Sequence, residues 1–136
     1  MSGLVRQTPG SIGYVELIYA LQNKMSFGSV QNKAGQFVTA SLDSVTAAAA
    51  AAGAEMPDDF RVSITNADGA NAYPIASFTW LLLYQHPKDV ARGKAMVDFL
   101  KWALTDGQKF APSLGYAPLP QPVIAKEMQA LAKVSV

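Results

Sequence analysis

The sequence predicts an α/β domain, with a mixed sheet and flanking helices. Three observations carry this reading. The longest apolar run, Ala72–Tyr84 (AYPIASFTWLLLY), is short, aromatic and branched, and Pro87 breaks the chain after it. Those features fit a buried strand better than a helix. Pro74 stands near its start, where a missing N–H harms a ladder least. Second, Val90 to Leu104 carries apolar residues at spacings of three and four, the period of a helix packed on one face. Third, strand-like and helix-like stretches alternate irregularly, which excludes a regular βαβ array. A chain of 136 residues is one domain of ordinary size.

In chain order, Gly3 to Gln7 is short and half apolar, with no assigned period. Thr8-Pro9-Gly10-Ser11 is a turn, because Pro presets one φ and Gly accepts the positive φ that follows. Ile12 to Val15 is a short strand, and Gly13 within it signals the close approach of another backbone. Glu16 to Lys24 changes to a helical period through Leu17, Ile18 and Leu21. Met25 to Val38 is a hairpin whose turn, Gln31 to Gly35, places Gly where a left-handed residue fits. Ser41 caps a helix that runs through Leu42, Val45 and a long alanine stretch, and Gly53 ends it. Those alanines read either as low complexity or as a helix lying close to a neighbour.

Glu55 to Asp59 is an acidic loop, and Phe60 to Ile64 (FRVSI) alternates as a strand does. Asn66 to Asn71 is a loop of small turn-forming residues, followed by the long apolar strand. Asp89 stands where a helix N-terminus favours negative charge. In the helix that follows, Met96, Val97, Leu100, Ala103 and Leu104 share one face. Phe99 and Trp102 widen it, so this helix should be well covered. Gly107 interrupts, Gln108 to Leu114 resumes as a short helix, and Gly115 to Pro122 is an extended proline-rich connector. Ile124 to Ala132 is a last amphipathic helix. No internal repeat is visible.

Half the residues are hydrophobic and 15% are charged, against a usual quarter. Such a chain buries a core and has apolar surface left for a partner. The net charge is +1 without a basic cluster, which argues against nucleic acid or an anionic membrane as partner. Without cysteine there is no disulfide, thiolate or Cys-based metal chemistry. Residues 2–11 lack the apolar stretch of a signal peptide, so the chain is expected to be cytoplasmic or to lack its targeting segment.

No pattern for catalysis, a cofactor or a metal stands out, so catalytic and metal residues are expected to be none. His86, the single histidine, reads as a turn residue rather than a ligand. No G-x-S-x-G elbow is present. Asp58 and Asp59 are adjacent, which suits a solvated loop better than a carboxylate pair converging on one bond. Thr8 to Gly13 has the Gly and Ser of a phosphate loop but lacks its lysine and precedes a strand, so a tight turn is the simpler reading. Phe78, Trp80, Tyr84, Phe99 and Trp102 are spaced for core packing. A stacking platform would need a basic groove beside them.

Three stretches carry a resemblance. They are QTPGSIGYVE (Gln7–Glu16) with YALQN (Tyr19–Asn23), then YPIASFT (Tyr73–Thr79), then FLKWA (Phe99–Ala103) leading to LGYAPLP (Leu114–Pro120). In this order and spacing they resemble the carboxy-terminal portion of the periplasmic phosphate-binding proteins of bacterial phosphate ABC transporters, the PstS family. The resemblance covers nearly the whole chain but less than half of that family's length. It implies part of a type II periplasmic-binding-protein fold, two α/β lobes with phosphate held in the cleft between them. It also implies a receptor without chemistry, an ABC permease as partner, and a periplasmic location.

By the same resemblance, residues 1–71 are a remnant of the second lobe. Residues 72–136 are the hinge-crossing strand and the return to the first lobe. The family's phosphate contacts come from segments upstream of the region matched, including a Ser-Gly-Thr loop that nothing here matches. The ligand-binding residues therefore stay unknown. Strands 12–15 and 72–84 would lack neighbours, and each uncovered large side chain forgoes roughly 1.5–3 kcal/mol of burial. Net stability is only about 5–15 kcal/mol, so the chain is expected to need the missing upstream half or to self-associate as a homo-oligomer. A stand-alone interaction module built from that half is the alternative.

Overall fold

The computed structural model describes residues 1–53 and 56–136. Its helices are α1 (Ser2–Gln7), α2 (Leu17–Gln22), α3 (Leu42–Gly53), α4 (Val90–Leu104) and α5 (Gln121–Leu131). Two short strands, β1 (Val30–Gln31) and β2 (Phe37–Val38), form an antiparallel pair with Val30 opposite Val38 and Gln31 opposite Phe37. Two 3₁₀ turns, Asp106–Phe110 and Pro112–Leu114, link α4 to α5. The fold therefore mixes helix with a small sheet.

The hairpin forms where its turn chemistry places it. Gly35 takes φ +78°, and Asn32 organises the turn. Its side-chain oxygen accepts from the N–H groups of Ala34 (3.1 Å) and Gln36 (3.0 Å). Its amide nitrogen, with two N–H groups shared among three acceptors, lies 3.2, 2.9 and 3.1 Å from the carbonyls of Gly69, Ala70 and Ala72. One buried side chain thus ties the hairpin to a loop nearly forty residues downstream. Gly69 and Asn66 in that loop have positive φ, as its composition predicts.

Helix α3 starts at Ser41, whose hydroxyl accepts from the Ser44 N–H at 3.1 Å. The alanines let it lie close to its neighbours: Ala48 and Ala49 are buried with Ile64, Ala72 and Ala76. Low complexity is thus not their meaning. The Thr46 hydroxyl donates to the Pro118 carbonyl at 3.2 Å, and Gly53 faces the Pro122 ring. Helix α4 begins at Asp89, whose carboxylate accepts from the Arg92 N–H at 3.0 Å. Its Leu100 and Leu104 pack on Ile124 and Leu131 of α5. Helix α5 packs against both α3 and α4 and so joins the two apolar clusters.

Several expectations are corrected. Residues 12–15, 60–64 and 72–84 are not assigned as strands: Phe60 takes φ +59° and the chain bends at Pro74 and Ile75. The alternation read at 60–64 holds, with Arg61 and Ser63 exposed and Ile64 buried, whereas the run read as a buried strand is buried only at Ala72, Pro74 and Ala76 and is exposed from Thr79 to Tyr84. What fails is the ladder, because a strand needs neighbours that the alternation cannot supply. Segments 60–66 and 74–80 do lie side by side and antiparallel. The Asn66 N–H donates to the Pro74 carbonyl at 2.8 Å, and the Trp80 indole donates to the Phe60 carbonyl at 2.8 Å. Between these ties an apolar depression of about 330 Å³ opens among Arg61, Val62, Ser63, Ser77 and Trp80.

Other differences are smaller. A Cβ at Gly13 would meet the side chains of Val5 and Met1 rather than a backbone. Residues 2–7 form a helix that their short, aperiodic sequence conceals. Helix α5 starts three residues early, since Pro122 is tolerated in a first turn. The acidic loop expected from Glu55 falls partly outside the described residues.

Candidate functional site

His86, Asp58, Asp59 and Ser11, the polar residues weighed in the sequence, are each engaged in local contacts. His86 meets the Ser135 hydroxyl through Nδ1 at 2.6 Å, and Ser135 also bonds the Gln85 backbone, so this pair pins the C-terminus. Asp59 accepts from the Arg61 backbone N–H and pairs with its guanidinium at 2.7 Å. Those contacts, the backbone one foremost, hold its carboxyl below the ordinary range. Asp58 lies 3.5 Å from the Lys126 ammonium, which also donates to the Met56 carbonyl. The two adjacent aspartates therefore turn to different cations and do not converge.

The Thr8–Ser11 turn closes through the Ser11 N–H onto the Thr8 carbonyl at 3.2 Å, with Gly10 at φ +74°. The Ser11 hydroxyl donates to the Val5 carbonyl. That serine is spent on the turn and does not point to an anion. Among the described residues, no three His, Asp or Glu side chains gather as a metal group.

The distinctive surface is apolar. Helix α4 buries Val97, Leu100 and Leu104, but Met96, Phe99 and Trp102 stay open, with Phe99 57% exposed. The expected full cover of this helix is thus corrected. Trp102 stacks at a tilt between Phe99 and Phe110, with ring centres 5.8 and 6.1 Å apart. This is packing among surface rings, since Phe110 is itself exposed. The apolar run continues the pattern: Leu81, Leu82, Leu83 and Tyr84 are all exposed, Leu82 at 97%. Ile12 and Tyr14 stand at 98% and 84%. Of the aromatic residues noted in the sequence, Phe78 alone packs on a core cluster, edge to face with Trp80 at 6.3 Å.

Soluble chains rarely leave so many large apolar side chains contiguous in sequence and open to water. Of these positions, Ile12, Tyr14, Phe99 and Trp102 lie in the stretches that carry the family resemblance. Over 130 residues, 96% of its length, the chain is 48% identical to the phosphate-binding protein PstS of Xylella fastidiosa strain Temecula1. This chain resembles one part of PstS. It is also 44% identical over 116 residues to PstS of Pasteurella multocida and 37% identical over 134 residues to PstS of Methanocaldococcus jannaschii. These cover 85% and 88% of the chain and 34% of each relative. The chain thus spans about a third of the length of the curated PstS relatives it matches, 35% for the Xylella protein. No family model matches it. Among the described residues no helix is long and apolar enough to cross a membrane.

Proposed function

We propose that this chain is one part of a PstS-type phosphate receptor, corresponding to its carboxy-terminal portion. It captures phosphate only together with the remainder of the receptor, the part equivalent to the rest of PstS. Capture is by hydrogen bonding between closing lobes, without chemistry, followed by delivery to an ABC permease. Residues 1–71 contribute to the second lobe, and residues 72–136 cross the hinge and complete the first. The fold of the complete receptor is the type II periplasmic-binding-protein fold, and its place is the periplasm.

The observation that carries this reading is the coincidence of two facts. The chain matches PstS over 96% of its own length but 35% of the relative's. Ile12, Tyr14, Leu81, Leu82, Phe99 and Trp102 lie open, as they would if the remaining polypeptide normally covered them. Segments 12–15 and 76–84, which carry no ladder, fit the same reading.

Calorimetric titration with inorganic phosphate tests the proposal. The chain alone should give no heat of binding. Mixed with a polypeptide covering the other two-thirds of the Xylella PstS, it should bind phosphate at micromolar or tighter affinity. Binding by the chain alone would contradict the need for a companion, and silence in both would contradict the receptor reading. A stand-alone assembly module is the second reading, favoured by the exposed Phe99–Trp102–Phe110 rings. It predicts partner binding without any phosphate dependence.

A further inference from the structure

Residues 77–84 run without a helix, turn or bend, and among the described residues their backbone makes no backbone–backbone hydrogen bond. Segment 60–66 flanks the start of this run on one edge. The opposite edge, and both edges beyond Trp80, are unpaired among the described residues. No Asp, Glu, Lys or Arg occurs between Asp68 and Lys88, so none of the charges that usually blunt an exposed edge is present. The whole chain carries a net charge of only +1, which leaves little repulsion between copies. Such an edge is a template for another extended chain, and in a solution of this chain the available one is its own.

We propose that two copies of this chain pair through residues 77–84 as antiparallel strands about a two-fold axis. A closed pair of identical strands must be antiparallel, because only that arrangement is self-complementary. The axis then stands perpendicular to the pair, so one residue faces its own copy. Centring it on Leu81 overlaps the full apolar run. Trp80 then lies opposite the partner subunit's Leu82, and Phe78 opposite the partner subunit's Tyr84. Alternation places these four on one face. The other face carries Thr79, Leu81 and Leu83. The pairing satisfies one free edge and covers Leu82 and Tyr84, which are among the most exposed apolar side chains described.

Light scattering on the purified chain at micromolar concentration, without phosphate or companion, gives the first readout. The expected mass is twice the 14.5 kDa of one chain. Leu82→Lys should return it to a single mass. Leu82 is 97% exposed, so this variant folds as the parent does, which circular dichroism checks. Phe99→Lys, on the other apolar surface, should leave the dimer intact. The natural chain has no cysteine, so single cysteines report the register. Leu81→Cys should form an intermolecular disulfide under mild oxidation, because facing Cα atoms lie within its reach. Trp80→Cys and Leu82→Cys should not, since each faces the other position.

A monomeric parent, a dimer that survives Leu82→Lys, a larger open assembly, or cross-linking at every position alike would each overturn the proposal. So would a monomer whose binding to the companion polypeptide is lost in Leu82→Lys, which would assign the edge to that polypeptide alone. None of these measurements involves phosphate, so their outcome is separate from that of the receptor reading.

Discussion

Replacing Asn32 should loosen the chain more than any nearby polar substitution. Its buried side chain makes five polar contacts: its oxygen accepts from Ala34 and Gln36, and its two amide N–H groups are shared among the carbonyls of Gly69, Ala70 and Ala72. Asn32→Ala leaves the Ala34 and Gln36 N–H groups and the Ala70 and Ala72 carbonyls without this partner, while the Gly69 carbonyl keeps the Ala72 N–H. Water reaches part of the site, so not every bond is lost in full. With a net value near 1 kcal/mol per hydrogen bond and more for a buried group left unpaired, the loss should be about 2–4 kcal/mol. That is a large share of a total of about 5–15 kcal/mol. In urea the unfolding midpoint should fall by about 1–2 M.

Asn32→Asp adds a sign to the test. An ionised carboxylate cannot donate, and it would face three carbonyl oxygens at 2.9–3.2 Å. Burial and those dipoles raise its folded-state pKa above the unfolded value near 3.9. The folded form is then best tolerated while the introduced group is protonated, and stability falls as pH rises through its folded pKa. Relative to the parent, Asn32→Asp should be worse at pH 7 than at pH 4, whereas the Asn32→Ala loss should barely change. A loss below about 0.5 kcal/mol for Asn32→Ala, the scale of an ordinary surface change, would refute this account of the hairpin anchor. So would an Asn32→Asp penalty that ignores pH.

Two further predictions concern single positions. Gly115 sits at φ +79°, and a Cβ there would overlap the Ile18 side chain. Gly115→Ala should therefore cost about 1–3 kcal/mol in chemical denaturation, from backbone strain and overpacking together. Burial raises the Glu127 carboxyl above its ordinary range. The folded state thus keeps its advantage below the unfolded pKa and loses it as pH rises through the folded one. Glu127→Gln should be more stable than the parent at neutral pH and nearly equal to it in acid, read from thermal unfolding at the two pH values.

Local features were the legible ones. The hairpin turn is written in Asn32 and Gly35, the α3 start in Ser41, and the α4 start in Asp89, because each acts on residues a few positions away. The alternation at 60–64 was also correct as a burial pattern. A strand, however, is a relation between segments, and no pattern within Ala72–Tyr84 reveals whether a neighbour is present. The same limit governs α4. Phe99 and Trp102 read as buried because large aromatic residues usually are, yet they lie open. Asn32 passed as a turn residue, and its reach to residues 69–72 has no local signature.

Amide hydrogen exchange tests the need for a companion most directly. The chain would be followed alone and mixed with a polypeptide covering the remaining two-thirds of the Xylella PstS. Alone, residues 12–15 should exchange at nearly the rate of an unstructured peptide, whether or not two copies pair through 77–84. With the companion, residues 12–15 and 77–84 should both become strongly protected, and phosphate should deepen that protection. Unchanged, rapid exchange at residues 12–15 in the mixture would contradict the account.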